Sequence, residues 1–199
     1  PRAIAAYQRV LTLDSTHVSA RHNLAGMYVK QLNYVRAIEE HRQVLAIDPG
    51  HLTTYYDLGY IYFLRGEYSA VDSLLAEGMR RDSTDASFYR LLGRVRFKEL
   101  DFARAATALN RSVALDSSDA ATYIDLAQVE MKRRDYAAAE IAARRAVALD
   151  GFAKEAYFVR SNALKRLGRR AESKAVLEQF RALDQQLDKI EDQLRMLGN

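Results

Sequence analysis

Cysteine is absent from the 199 residues, which excludes disulfides, thiolate metal sites and cysteine nucleophiles. The absence leaves the compartment open, because cytoplasmic and envelope proteins both do without it. Proline occurs twice and glycine nine times, too few for a loop-rich or all-β chain. No run approaches the roughly 18 to 20 apolar residues that a membrane span needs, and no signal peptide is visible. The net charge of +4, from 30 basic and 26 acidic residues, is mild. It suits acidic partners but lacks the dense basic patch of a nucleic-acid binder. What is present is 49% hydrophobic and 28% charged, the balance of a folded chain. Alanine, leucine, arginine and glutamate dominate, and they favour helix.

The main signal is periodic. Asp14, Asp48, Asp82, Asp116, Asp150 and Asp184 stand 34 residues apart without a slip. Leu24, Leu58, Leu92 and Leu126 keep the interval, and so do Tyr55, Tyr89, Tyr123 and Tyr157. Two columns of small residues recur in register. One is Ala25, Gly59, Gly93, Ala127 and Ser161; the other is Ala3, Ala37, Ala105, Ala139 and Ser173, with Val71 as its one larger member. Apolar residues at three- and four-residue steps predict a helix over 52–64, 86–98, 120–132 and 154–166. The breaks "LRGEY", "KELDF", "KRRDY" and "RLGRR" follow, and then a second helix runs to the aspartate. Asp85 and Asp119 sit where an N-cap carboxylate would accept the free amide hydrogens of the next helix. Gly59 and Gly93 cost about 1 kcal/mol each inside a helix, which predicts a close helix approach there.

These residues resemble the tetratricopeptide repeat. Tyr55, Leu58, Gly59, Tyr62, Tyr68 and Leu75 match its pattern, with Asp48-Pro49 closing the unit before, and Tyr89, Leu92, Gly93, Phe102, Ala105 and Leu109 match in the next unit. The resemblance implies an all-α, right-handed superhelical solenoid of 34-residue helix-turn-helix repeats. Five repeats span 18–51, 52–85, 86–119, 120–153 and 154–184. Residues 1–17 read as the second helix of a truncated repeat, which suggests a longer parent, and 185–199 as a helical extension or cap. Two residues depart from the pattern: Arg21 stands for the aromatic and Arg160 for a leucine. Repeats this compact and this rich in alanine and arginine have a bacterial style, which points to the cytoplasm or the cell envelope.

Beyond Asp184 no helix breaker appears, so one helix is expected from about 171 to 197. Leu177, Phe180, Leu183, Leu187, Ile190, Leu194 and Leu197 form its apolar stripe, and Asp188, Glu191 and Asp192 lie on its polar face. The stripe reads as a cap, or as a seam for self-association.

Catalytic signatures are missing. There is no glycine-rich phosphate loop, no HExxH and no nucleophile with a base and an orienting group. His17 and His22 do not share a helical face, and His41 falls in the column of Leu75 and Leu109, so no metal site and no cofactor are expected. The chain is read as a non-catalytic scaffold.

In this family the first helix of each pair lines the concave side. The expected groove is therefore Tyr56, Tyr60, Phe63, Arg90, Arg94, Phe97, Lys98, Gln128, Met131, Lys132, Phe158, Asn162, Lys165 and Arg166. Aromatics beside cations suit a partner protein or extended peptide carrying acidic and apolar side chains. Family members that clamp a chaperone's C-terminal carboxylate use lysine, asparagine and arginine at places that here hold His22, Gly26, Asp57, Ser87 and Leu91, so that clamp is not expected. The alternative is a structural subunit that self-associates through its ends and its last helix.

Overall fold

A computed structural model describes residues 2–197, with side chains from 2 to 190 and at 193 and 195. The described residues form eleven helices and no strand. They are α1 (Arg2–Leu13), α2 (Val18–Lys30), α3 (Tyr34–Ile47), α4 (Leu52–Leu64), α5 (Tyr68–Arg81), α6 (Ala86–Lys98), α7 (Phe102–Leu115), α8 (Ala120–Arg133), α9 (Tyr136–Leu149), α10 (Lys154–Arg166) and α11 (Arg170–Leu197). First helices begin at Val18, Leu52, Ala86, Ala120 and Lys154, so the 34-residue sequence period becomes the period of the fold. The all-α helix-turn-helix expectation holds.

Each recurring aspartate makes a turn. Asp48, Asp82, Asp116 and Asp150 are the C-caps of α3, α5, α7 and α9. The Oδ1 atoms of Asp14, Asp48, Asp82, Asp116 and Asp150 accept from the backbone N–H two residues on, at 2.8–2.9 Å. A carboxylate so bound mimics one turn of backbone and redirects the chain. Hydroxyls of Thr16, Thr84 and Ser118 add a second bond, and these contacts hold the carboxyls of Asp14, Asp82 and Asp116 below the usual range. The tyrosine column then reaches back to the turn. Tyr55, Tyr89 and Tyr157 donate their hydroxyls to the carbonyls of Pro49, Ser83 and Gly151. Asp119 caps α8 by accepting from the N–H groups of Ala121 and Thr122, and Asp85 accepts from Ser87. At Asp184 none of this occurs and α11 runs straight through, as the missing breaker predicts.

The turn inside each helix pair has its own rule. Leu32, Gly66, Leu100, Arg134 and Gly168 all take positive φ, between 58° and 77°, and they are spaced by the repeat. Glycine adopts this conformation freely; the leucines and the arginine do so under strain.

The chain divides into two compact units, Pro1–Val95 and Arg96–Asn199. The first has a core of large side chains, among them Leu24, Ile61, Leu75, Phe88 and Leu91. At Gly59 the helices do not approach as closely as expected: a Cβ there would lie 3.4 Å from Leu91 and 3.8 Å from Val71, ordinary contact that leaves room for a methyl group, although the one large member of the second column does face this glycine of the first. A tighter approach, not foreseen, is at Gly78, where a Cβ would meet the Phe88 ring at 2.6 Å. The second unit is built on alanine, with Ala105, Ala127, Ala139, Ala142, Ala143 and Ala146 buried. Ser161 and Ser173, the serines of the two small columns, share a buried hydrogen bond of 2.8 Å. On α11, Phe180 is buried, Leu183 and Leu187 are half-buried, and Ile190 and Asp188 are exposed. The expected stripe and polar-face residues Glu191, Asp192, Leu194 and Leu197 lie outside the described side chains.

Candidate functional site

In the first unit, α4 and the N-terminal part of α6 bring five expected groove residues together. Tyr56 and Tyr60 are one helical turn apart, and their rings stack at 6.2 Å with planes 9° apart. Phe63 continues the row at 6.2 Å and 19°, and Tyr68 follows Phe63 at 6.1 Å. The guanidinium of Arg94 lies 5.5 Å from the Tyr60 ring centre and 4.7 Å from that of Phe63. Burial pushes the Tyr56 hydroxyl up, while the cations of Arg90 and Arg94 pull it back. Tyr56, Tyr60, Arg90 and Arg94 are half-buried, and all four help form the surface.

Phe63 does not face solvent as expected. It is 7% exposed, because Arg94 lies over one side and Tyr68 fills the next place in the row. It forms the floor of the face.

In the second unit, Phe97, Gln128, Met131, Lys132 and Asn162 line a depression of about 230 Å³ together with Val159, which the sequence reading did not include. Gln128 donates to the Glu155 carboxylate at 2.5 Å, which fixes its amide at one wall. Lys98 and Lys165 are exposed. Two expected residues are exposed and also touch other helices: Phe158, 44% exposed, packs on Phe180 of α11 at 5.7 Å, and Arg166 lies over the Tyr136 ring of α9 at 6.0 Å.

The first unit also holds a polar cluster that spacing could not reveal. His22 on α2, His41 on α3, His51 before α4 and Asp57 on α4 converge. The His22 ring is 5.5 Å from that of His41 and 5.0 Å from that of His51, and its Nε2 lies 3.6 Å from Asp57 Oδ2. Thr54, fully buried, places its hydroxyl 2.9 Å from His51 Nδ1 and 3.4 Å from His22 Nδ1. His41 is 1% exposed and its Nδ1 is buried without a hydrogen-bond partner. Such an atom typically costs about 1–3 kcal/mol. Burial, together with the neighbouring His22 and His51, pushes the His41 imidazole down to about 4, so it is neutral at neutral pH. Burial pushes the Asp57 carboxyl up.

Family models described as tetratricopeptide repeat match residues 28–95, 90–154 and 154–186. The chain belongs to the tetratricopeptide-repeat family. No curated protein matches the sequence. Among solved structures, a crystal structure of MamA protein is 22% identical over 86% of this chain and 94% of its own, with a TM-score of 0.72. The pilF protein of Pseudomonas aeruginosa is 19% identical over 95% and 86%, with a TM-score of 0.77. YrrB, described as a TPR protein with an unusual peptide-binding site, is 16% identical over 88% and 90%, with a TM-score of 0.65. At these identities the likeness is one of fold.

Both departures from the tetratricopeptide pattern have a structural reason. Arg21 donates to Glu40 of α3 at 2.7 Å, and Arg160 donates to Glu140 of α9 at 3.1 Å. Glu140 is only 5% exposed. A buried carboxylate needs a cation, so at position 160 arginine replaces the usual leucine. Among the described residues, no helix is long and apolar enough to cross a membrane.

Proposed function

We propose that this tetratricopeptide-repeat protein is a non-catalytic scaffold that holds a partner protein, through an extended peptide segment with acidic and apolar side chains. The observation that carries this reading is the stacked, half-buried pair Tyr56 and Tyr60 with Arg94 laid over the row. Rigid aromatic rings give contact area at low conformational cost, and a guanidinium placed by its stacking binds a carboxylate through charge-assisted hydrogen bonds. The depression beside Phe97, Met131 and Lys132 offers a second place of the same chemistry for an apolar side chain. Related folds support the reading, since YrrB is described as having a peptide-binding site. The test is a pool of extended peptides of mixed acidic and apolar composition, screened against the wild-type chain and against Arg90→Glu, Arg94→Glu. Charge reversal should weaken the captured peptides on the order of tenfold or more. Capture by the reversed chain at wild-type strength sinks the proposal.

A second reading, self-assembly through α11, draws on the exposed Ile190 beside half-buried Leu183 and Leu187. It requires a molar mass by light scattering that grows with concentration and stops growing on truncation at Asp184.

A further inference from the structure

We propose that His22, His41 and Asp57 form a binding site for a divalent transition-metal ion of the zinc class. The three residues come from α2, α3 and α4, so only the packing of the first unit unites them. One ligating atom from each lies within 4.8 Å of the others. Tetrahedral zinc with bonds of about 2.0–2.2 Å sets its ligand atoms roughly 3.3–3.5 Å apart. His22 Nε2 and Asp57 Oδ2, at 3.6 Å, already stand close to that separation. Small side-chain rotations close the rest.

Two further observations favour a ligand over packing. The His41 position is filled by Leu75, Leu109 and Ala143 in the units that follow, all fully buried. A histidine placed there brings a polar ring into an apolar column and leaves its Nδ1 without a partner. Coordination relieves such an atom; tighter apolar packing does not. Finally, the Thr54 hydroxyl touches the Nδ1 of both His22 and His51, an outer contact of the kind that orients a ligating imidazole through its other nitrogen. Two imidazoles and a carboxylate are a borderline donor set, which suits zinc over magnesium or calcium. With three protein ligands, the fourth position is left to water or to His51, whose ring is 5.0 Å from that of His22.

The experiment uses the whole chain, stripped with a chelator and titrated with Zn(II) by calorimetry and with Co(II) by visible absorption. His41→Leu and Asp57→Asn are run in parallel, with circular dichroism confirming the helices. The expected result is one ion per chain, a dissociation constant on the order of micromolar or tighter, and a tetrahedral Co(II) spectrum. Each substitution should weaken binding about tenfold or more. If His41→Leu fails to fold, Asp57→Asn decides, since Asp57 lies at the half-buried edge of the cluster. The proposal is overturned if about 100 μM Zn(II) shows no saturable uptake. It is equally overturned if the folded variants bind as well as the wild type, which would place the ion on histidines elsewhere.

Discussion

Acid should destabilise the metal-free protein through His41, beginning above the pH at which ordinary carboxylates protonate. Burial, then the neighbouring His22 and His51, lower this imidazole from about 6.5 to about 4. Between those values the unfolded chain binds a proton that the folded chain refuses. Stability therefore rises with pH across this window and is lost as pH falls from about 6.5 towards 4. A difference of about 2.5 pKa units at roughly 1.4 kcal/mol each amounts to about 3 kcal/mol. Asp57, facing the same ring from α4, acts in the opposite sense. Its raised carboxyl takes up a proton more readily in the folded state, which offsets part of the loss at the acid end. The hydrogen-bonded Asp14, Asp82 and Asp116 and the paired Glu77 and Glu172 have lowered carboxyls, so the stability they give is lost as pH falls from the ordinary carboxylate value through the lowered one, below most of the His41 window. Urea titrations followed by helix circular dichroism, in chelator from pH 7.5 to 4.5, measure the loss. His41→Leu should be as stable as the wild type or more so at neutral pH, because it removes the unpartnered Nδ1, and its acid loss should be smaller by most of those 3 kcal/mol. Parallel pH curves for the two proteins would refute the assignment.

Three further predictions concern packing and turns, each read by thermal or urea unfolding. Gly78→Ala drives a methyl into the Phe88 ring and should cost about 1–3 kcal/mol, whereas Gly59→Ala, with 3.4 Å to Leu91, should be neutral or stabilising by up to about 1 kcal/mol. Gly66→Ala forces a side chain into the left-handed region and should cost about 1 kcal/mol. Leu32→Gly, which releases such a strain at a residue 73% exposed, should gain about 0.5 kcal/mol after the entropy of the unfolded chain is counted. Arg160→Ala removes the shorter ion pair of the buried Glu140 carboxylate, leaving the 3.9 Å pair with Arg144, and should cost about 3 kcal/mol. Adding Glu140→Leu to Arg160→Leu should recover most of the loss.

The fold was legible because each instruction is repeated. Five aspartates make the same turn, and the sixth, Asp184, lacks the residues around it that break a helix, so α11 continues. A physical constraint that recurs every 34 residues can be separated from chance by register alone. The left-handed positions repeat just as strictly, yet only Gly66 and Gly168 mark them in the sequence, because leucine or arginine stands at the other three. For the proposed groove, only the shared helix faces were legible, as far as periodicity reaches. Periodicity tells which face Tyr56, Tyr60 and Phe63 share. It does not tell that Arg94 lies over Phe63 and buries it, or that the exposed Phe158 and Arg166 also touch Phe180 and Tyr136. Those outcomes depend on side-chain direction and on neighbours from other helices. The histidine cluster is the extreme case. His22, His41 and Asp57 occupy three different columns of three different helices, so no spacing rule relates them. The sequence held one clue, a histidine in a column that holds leucine or alanine in the next three units. A residue that breaks the rule of its own repeat is where a solenoid, otherwise built of interchangeable parts, departs from the stacking that every unit shares.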